Sequence, residues 1–165
     1  MNPFRRSGIT MLVIAWLLIM AGLYWFFGDW AATQSNPNTA SVLAQQKGEV
    51  VLARNRDGHY VADGEINGKR VTFLLDTGAS AVALSTGVAR ELGLKRGPAL
   101  TLQTANGSVV GYQTRLATVR LGAIELRDVA AIMTDGIGDD TVLLGMSFLQ
   151  RLEFTQREGR LILKQ

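Results

Sequence analysis

Apolar residues fall into two regimes along this chain. From Gly8 to Phe27 they run without a charge, GITMLVIAWLLIMAGLYWFF, and no polar face interrupts them. From His59 onward they come in short alternating runs broken by Gly, Asn and Asp. Alternation predicts half-buried strands, and the breakers predict tight turns. The pattern predicts strands over His59 to Ile66 and Lys69 to Leu75, joined at Asn67-Gly68, a two-residue hairpin signal. Further strands are expected at Glu49 onward, Ala81 to Leu84, Leu100 to Thr104 and Ser108 to Leu121. Ile124 to Met133 follows, bent near Leu126-Arg127, and then Thr141 to Leu144. A last hairpin pairs Glu153–Thr155 with Arg160–Leu163. Ser85 is placed to cap a short helix that stops at Gly93, and Met146 to Leu152 reads as another. Many short strands with closely spaced turns predict an all-β barrel or sandwich.

The first regime has a different meaning. Twenty residues at about 1.5 Å rise span about 30 Å, the thickness of bilayer hydrocarbon. A buried core helix would need a polar face. A cleaved signal peptide has a shorter apolar stretch, although Ala31-Ala32-Thr33 offers a weak cleavage site. An uncleaved signal anchor over residues 8–27 is the reading adopted, with Tyr24, Trp25 and Trp30 at its far interface. Arg5 and Arg6 precede the span, so the positive-inside rule keeps residues 1–7 in the cytoplasm. In a bacterium the rest then lies outside the inner membrane. Residues 28–48, polar and aperiodic around Pro37, read as a linker, and residues 49–165 as the folded domain.

Composition narrows the chemistry. There is no Cys and a single His, His59, which excludes disulfide frameworks, zinc fingers and multi-histidine metal sites. Removing Arg5, Arg6 and Asp29 from 17 basic and 14 acidic residues leaves 15 against 13 beyond the apolar run. So even a balance excludes a nucleic-acid binder. Lys69-Arg70 and Lys95-Arg96 read as solvated surface, and His59 as a strand residue with a satisfied ring. Met146 and Phe148 read as core.

The informative segment is Phe73-Leu74-Leu75-Asp76-Thr77-Gly78-Ala79-Ser80. An apolar strand ending in a carboxylate must pair or hydrogen-bond that charge. The small residues after it allow close backbone approach, Gly78 can take positive φ, and Thr77 and Ser80 offer hydroxyls. An ordinary turn aspartate fits the octapeptide too. Gly78-Ala79-Ser80-Ala81-Val82 misses the serine-hydrolase elbow, with Val82 in place of Gly and the His upstream. A phosphotransfer aspartate is excluded because Gly78 stands where a second Asp belongs. Asp135, Asp139 and Asp140 lack calcium-loop spacing.

FLLDTGAS, followed near position 142 by Val142-Leu143-Leu144-Gly145 and Met146-Ser147-Phe148-Leu149, resembles the aspartic proteases of the retropepsin type. Thr104-Ala105-Asn106-Gly107 lies between, where that family carries its flap. The membrane-anchored bacterial group is the nearest likeness. The resemblance implies a closed retropepsin-like barrel with one or two short helices. It implies Asp76 as the catalytic residue, Thr77, Gly78, Ala79 and Ser80 as its supporting loop, and Thr104 to Gly107 as the flap. In this likeness Ser80 bonds the outer oxygen of the aspartate. Leu143, Leu144 and Gly145 match the strand that packs on the loop. No cofactor and no metal are implied.

Peptide hydrolysis by carboxylates needs two of them, about 3 Å apart and sharing one proton. The chain has one Asp-Thr-Gly. Thr134-Asp135-Gly136 has another order and reads as a turn. A homodimer is therefore expected, with Asp76 of each copy on a two-fold axis and a peptide or protein substrate between them. Arg160 to Leu163 could pair between subunits or close the sheet within one. Ala79, Val82 and Leu84 are candidates for the cleft lining. The same fold could also serve as a non-catalytic, membrane-tethered peptide-binding module.

Overall fold

In the computed structural model, residues 3–39, 48–104, 107–138 and 141–165 are described. The chain divides into two units, residues 1–35 and 36–165. The first is the helix α1 (Pro3–Ser35), 33 residues long. Its apolar stretch is exposed throughout the described side chains and is long and apolar enough to cross a membrane. Phe27 stacks edge-on with Phe26 and with Trp30. The helix continues past Phe27 to Ser35, where the sequence pattern predicted a linker.

The second unit is mostly β, as the alternation predicts. Its elements are β1 (Glu49–Ala53), β2 (Val61–Ile66), β3 (Lys69–Leu75), β4 (Val82–Leu84), α2 (Thr86–Glu91), β5 (Ala99–Thr104), β6 (Gly107–Leu121), β7 (Ile124–Thr134), β8 (Thr141–Leu144), α3 (Met146–Leu149), β9 (Glu153–Arg157) and β10 (Arg160–Lys164). Seven strands run in the order β2-β3-β8-β4-β7-β6-β5, and β2 also pairs with β6, which closes the sheet into a barrel. Fully buried Phe73, Leu84, Leu116, Leu121, Met133, Leu144 and Phe148 contribute to its core. The β2–β3 turn is made by Asn67 (φ 52°) and Gly68 (φ 77°), both left-handed, as a two-residue hairpin requires. The expected bend in β7 is at Asp128, one residue beyond Arg127, where φ is 53° and the pairing with β6 is interrupted.

A separate three-stranded sheet has the order β1-β10-β9. β10 is its middle strand and is paired on both edges within one chain. Arg160 to Leu163 therefore closes the sheet inside the subunit and has no edge left for a partner. Asn36 to Thr39 also differ from a free linker. Asn38, 1% exposed, donates its amide to Ala53 O (2.9 Å) and Val61 O (2.7 Å) and accepts from Ala53 N (2.7 Å). Asn36 donates to Asp63, which also accepts from Thr72.

Candidate active site

β3 delivers Asp76 to the end of the barrel. Leu74 and Leu75 pair in parallel with Leu143 and Leu144 of β8, and Asp76 N donates to Leu144 O (3.2 Å). On its other edge β8 meets β4, with Ala83 opposite Leu143. The loop between β3 and β4, residues 76–81, thus arches over the end of one strand flanked by both its neighbours. The chain after β8 pins that loop from below. Met146 N donates to Ala79 O (2.8 Å), and Ala79 N reaches back to Asp76 O (3.3 Å). Gly145 sits so close that a Cβ there would stand 2.6 Å from Ala79 O and 2.3 Å from Ala81 O.

The carboxylate of Asp76 is half-buried, and its Oδ1 accepts from Gly78 N at 2.8 Å. Its Oδ2 has no hydrogen-bond partner among the described residues. The hydrogen bond expected from Ser80 is not among those of the described residues; Gly78 supplies the contact through its backbone instead. Gly78 does not use positive φ. Its requirement is space, since a Cβ would lie 3.1 Å from Asp76 Oδ1. Thr77 and Ser80 are exposed, and neither hydroxyl has a hydrogen bond among the described residues.

Other predicted positions fall elsewhere. Val82 and Leu84 are fully buried in the barrel core, so they do not line a cleft; alternation along β4 turns both inward. Ala79 stays half-buried. Thr104 and Gly107 face each other at the end of the β5–β6 hairpin, where Thr104 Oγ1 donates to Gly107 O (2.7 Å). Ala105 and Asn106 lie outside the described residues, as do Asp139 and Asp140. No hydrogen bond joins the described part of this hairpin to the Asp76 loop. His59 is exposed just before β2, not within a strand, because its N–H is taken by the Asn55 side chain in the preceding turn. Met146 packs against the core and Phe148 is buried in it, as predicted.

Two supporting residues escaped the sequence pattern. Ser147 Oγ donates to Ala130 O (2.7 Å) and accepts from Val82 N (3.0 Å), tying β7 to the exit of the Asp76 loop. The only cue was a small hydroxyl residue just after Gly145-Met146. Asp135 lies in a turn, as expected, but its carboxylate also accepts from Thr86 N (3.3 Å), at the start of α2. Ser85 caps the same helix through Val88 N. Among the described residues no group of His, Asp and Glu is arranged to hold a metal.

A family model described as "gag-polyprotein putative aspartyl protease" matches residues 62–151, which include the whole Asp76 loop and the strand beneath it. The chain belongs to the retropepsin-like aspartic proteases. This retropepsin-like chain is 33% identical over 163 residues to an uncharacterized protein from the cobV 5′ region of a Sinorhizobium species, covering 92% of this chain and 69% of that protein. It is 36% identical over 110 residues to an uncharacterized protein of Rickettsia prowazekii, covering 64% of this chain and only 46% of that one. Among solved structures it resembles a retropepsin-like aspartic protease from Rickettsia conorii, with a TM-score of 0.60 and 37% identity over 70% of this chain and 89% of that one.

Proposed function

We propose that this protein is a membrane-anchored aspartic endopeptidase whose reactive pair is Asp76 from each of two copies. The observation that carries the reading is the state of the Asp76 carboxylate. One oxygen is fixed by the Gly78 amide, and the other has no partner among the described residues of its own chain. A second Asp76 meeting the first on a two-fold axis supplies the missing partner. Two carboxyls about 3 Å apart share a proton because both cannot ionise easily. The ionised member takes a proton from water while the protonated member donates to the peptide carbonyl, and the titration belongs to the pair.

The supporting residues divide by role. Thr77, whose hydroxyl has no hydrogen bond among the described residues of its own chain, bonds across to the partner's loop. Gly78 and Ala79 hold the backbone around Asp76, and Ser80 edges the carboxylate. Leu143, Leu144 and Gly145 form the platform under it. Thr104 to Gly107 close over the substrate. Residues 1–7 stay in the cytoplasm, residues 8–27 cross the inner membrane, and the protease domain acts on the outer face. Two domains tethered to one surface meet at raised effective concentration.

The test is Asp76→Asn in the full chain, which removes the ionisable group at nearly constant size. Cleavage of a peptide library at mildly acidic pH should disappear while the thermal transition and the dimer remain. Cleavage at the wild-type rate would overturn the reading. Peptide binding by the wild type without turnover at any pH would favour a tethered binding module.

A further inference from the structure

A groove of about 850 Å³ opens on the outer face of the barrel. Ala81, Ala117, Ala130 and Ile132 form its floor. Each stands next to a buried residue in sequence, so strand alternation turns them outward. One wall is the chain from Gly93 to Pro98, which leaves α2 through a left-handed glycine (φ 70°). That wall is tied down. Leu94 N donates to Ala89 O (2.9 Å), Thr114 Oγ1 to Lys95 O (2.9 Å), Gly97 N to Gln113 O (2.8 Å) and Gln113 N to Pro98 O (2.9 Å).

The groove begins where the Asp76 loop ends, because Ala81 is the last residue of that loop and part of the floor. Strand register links the two a second way. Leu74, two residues before Asp76, pairs with Leu143; Leu143 lies opposite Ala83, and Ala83 beside Ile132. All four are half-buried, and their neighbours Phe73, Val142, Val82 and Ala131 are buried. A continuous apolar row thus leads from Asp76 to the groove. It crosses three inter-strand steps, about 14 Å, or about four residues of extended peptide.

The charge of the groove is one-sided. Lys95, Arg96 and Arg115 line it, and no Asp or Glu does among the described residues. Asp128, outside the groove, neutralises Arg115 through two hydrogen bonds. Lys95 and Arg96 have no ion pair among the described residues. The Arg96 guanidinium lies 4.7 Å from the centre of the Tyr112 ring, a contact that uses its face and not its N–H edge.

We propose that this groove is an exosite that takes an extended substrate segment bearing Asp or Glu, about four or more residues from the bond to be cut. The proposal rests on the endopeptidase reading above and adds a substrate class to it. The alanine floor leaves room for a peptide backbone, and Lys95 and Arg96 meet carboxylates along its edge. A two-fold dimer carries one such groove on either side of the cut, so acidic residues on both flanks are recognised.

The probes are peptides of about sixteen residues, long enough at about 3.3 Å per residue to reach both grooves. Each has an apolar centre and two Glu, two Gln or two Lys at both ends. Fluorescence anisotropy on full-length Asp76→Asn in detergent micelles separates recognition from cleavage. The Glu-ended peptide should bind about tenfold more tightly than the Gln-ended one, and added salt should erode the difference. Lys95→Glu combined with Arg96→Glu should abolish that preference and favour the Lys-ended peptide. Both side chains are exposed, so the thermal transition should stay in place. Arg56→Glu, an exposed charge reversal outside the groove, should leave the preference intact. With Asp76 present, the preference should appear in KM, with kcat changed by less than about twofold. Equal affinity for the Glu- and Gln-ended peptides, or a preference that survives the double reversal, overturns the exosite. If the wild type still cleaves in that case, the endopeptidase reading stands without it. A charge preference that follows Lys95 and Arg96 in a wild type that cleaves no peptide keeps the acidic-segment groove and overturns the endopeptidase reading.

Discussion

Gly145 lies directly beneath Ala81, with its missing Cβ position 2.3 Å from the Ala81 carbonyl oxygen. The atoms it would meet are backbone, from Ala79 as well as Ala81, and cannot swing aside as a flexible side chain would. Gly145→Ala must therefore displace the Asp76 loop or the start of α3. It is expected to cost about 3 kcal/mol of stability, in the range of severe overpacking. Gly138→Ala is the control, since nothing among the described residues lies within 4 Å of its Cβ position. Urea denaturation of the two variants should separate them clearly, and a Gly145→Ala protein as stable as Gly138→Ala would contradict the packing.

Asn38 carries a second expectation. Its amide satisfies both backbone groups of Ala53 and the carbonyl of Val61 from a buried position. Asn38→Ala leaves these groups without that partner and should cost about 2–4 kcal/mol, the sum of several buried hydrogen bonds left unmade. Asn38→Asp replaces the donor to both carbonyls with an acceptor and should cost at least as much. Thermal denaturation in detergent micelles would measure both. A midpoint within one degree of wild type would mean that residues 36–39 are only loosely attached.

Acid sensitivity should come in part from two surface carboxylates. The hydrogen bond from Arg120 holds Glu125 below the usual carboxylate range, and that from Arg115 does the same for Asp128. A carboxyl depressed in the folded state adds stability above its unfolded pKa and loses it as pH falls through the folded value. Glu125→Gln should therefore lower the melting temperature slightly at neutral pH and flatten its decline toward about pH 3. Both groups are solvent-screened, so added salt should shrink the difference. A decline unchanged by the substitution would assign the acid sensitivity to other groups.

How much of this was legible in the sequence depended on whether the cue was local. β3 and β8 have the predicted limits because Asn67-Gly68 fixes one end of β3 and Asp76 and Gly145 end the two apolar runs. Ser85 caps α2 as expected, because capping needs only Val88, three residues away. The losses were long-range. Asn38 sits in a stretch of Asn, Pro and Thr that reads as linker, and nothing local shows that Ala53 and Val61 wait for it. Val82 and Leu84 follow the Asp76 loop so closely that they suggested a cleft, yet strand alternation turns them into the core. The middle position of β10 could not be read from its own residues, since it depends on β1, more than a hundred residues earlier. For the Asp76 loop, the motif showed which residues gather but not which atoms touch: Gly78, rather than Ser80, holds the carboxylate.

That contact yields the last expectation. Gly78 has no conformational need for glycine, so a Gly78→Ala backbone is unstrained. Its added Cβ, however, would lie 3.1 Å from Asp76 Oδ1, closer than an ordinary van der Waals contact. The carboxylate would have to shift by a few tenths of an ångström, lengthening its bond to the Gly78 amide. The cost in stability should be small, because the loop is exposed at this point. The cost in rate should not be, since paired carboxylates act only when both oxygens are placed to within fractions of an ångström. Under the proposed mechanism kcat should fall about tenfold or more while the melting temperature and peptide KM change little. A Gly78→Ala enzyme with wild-type kcat would show that the carboxylate position set by this amide is not the one used in hydrolysis.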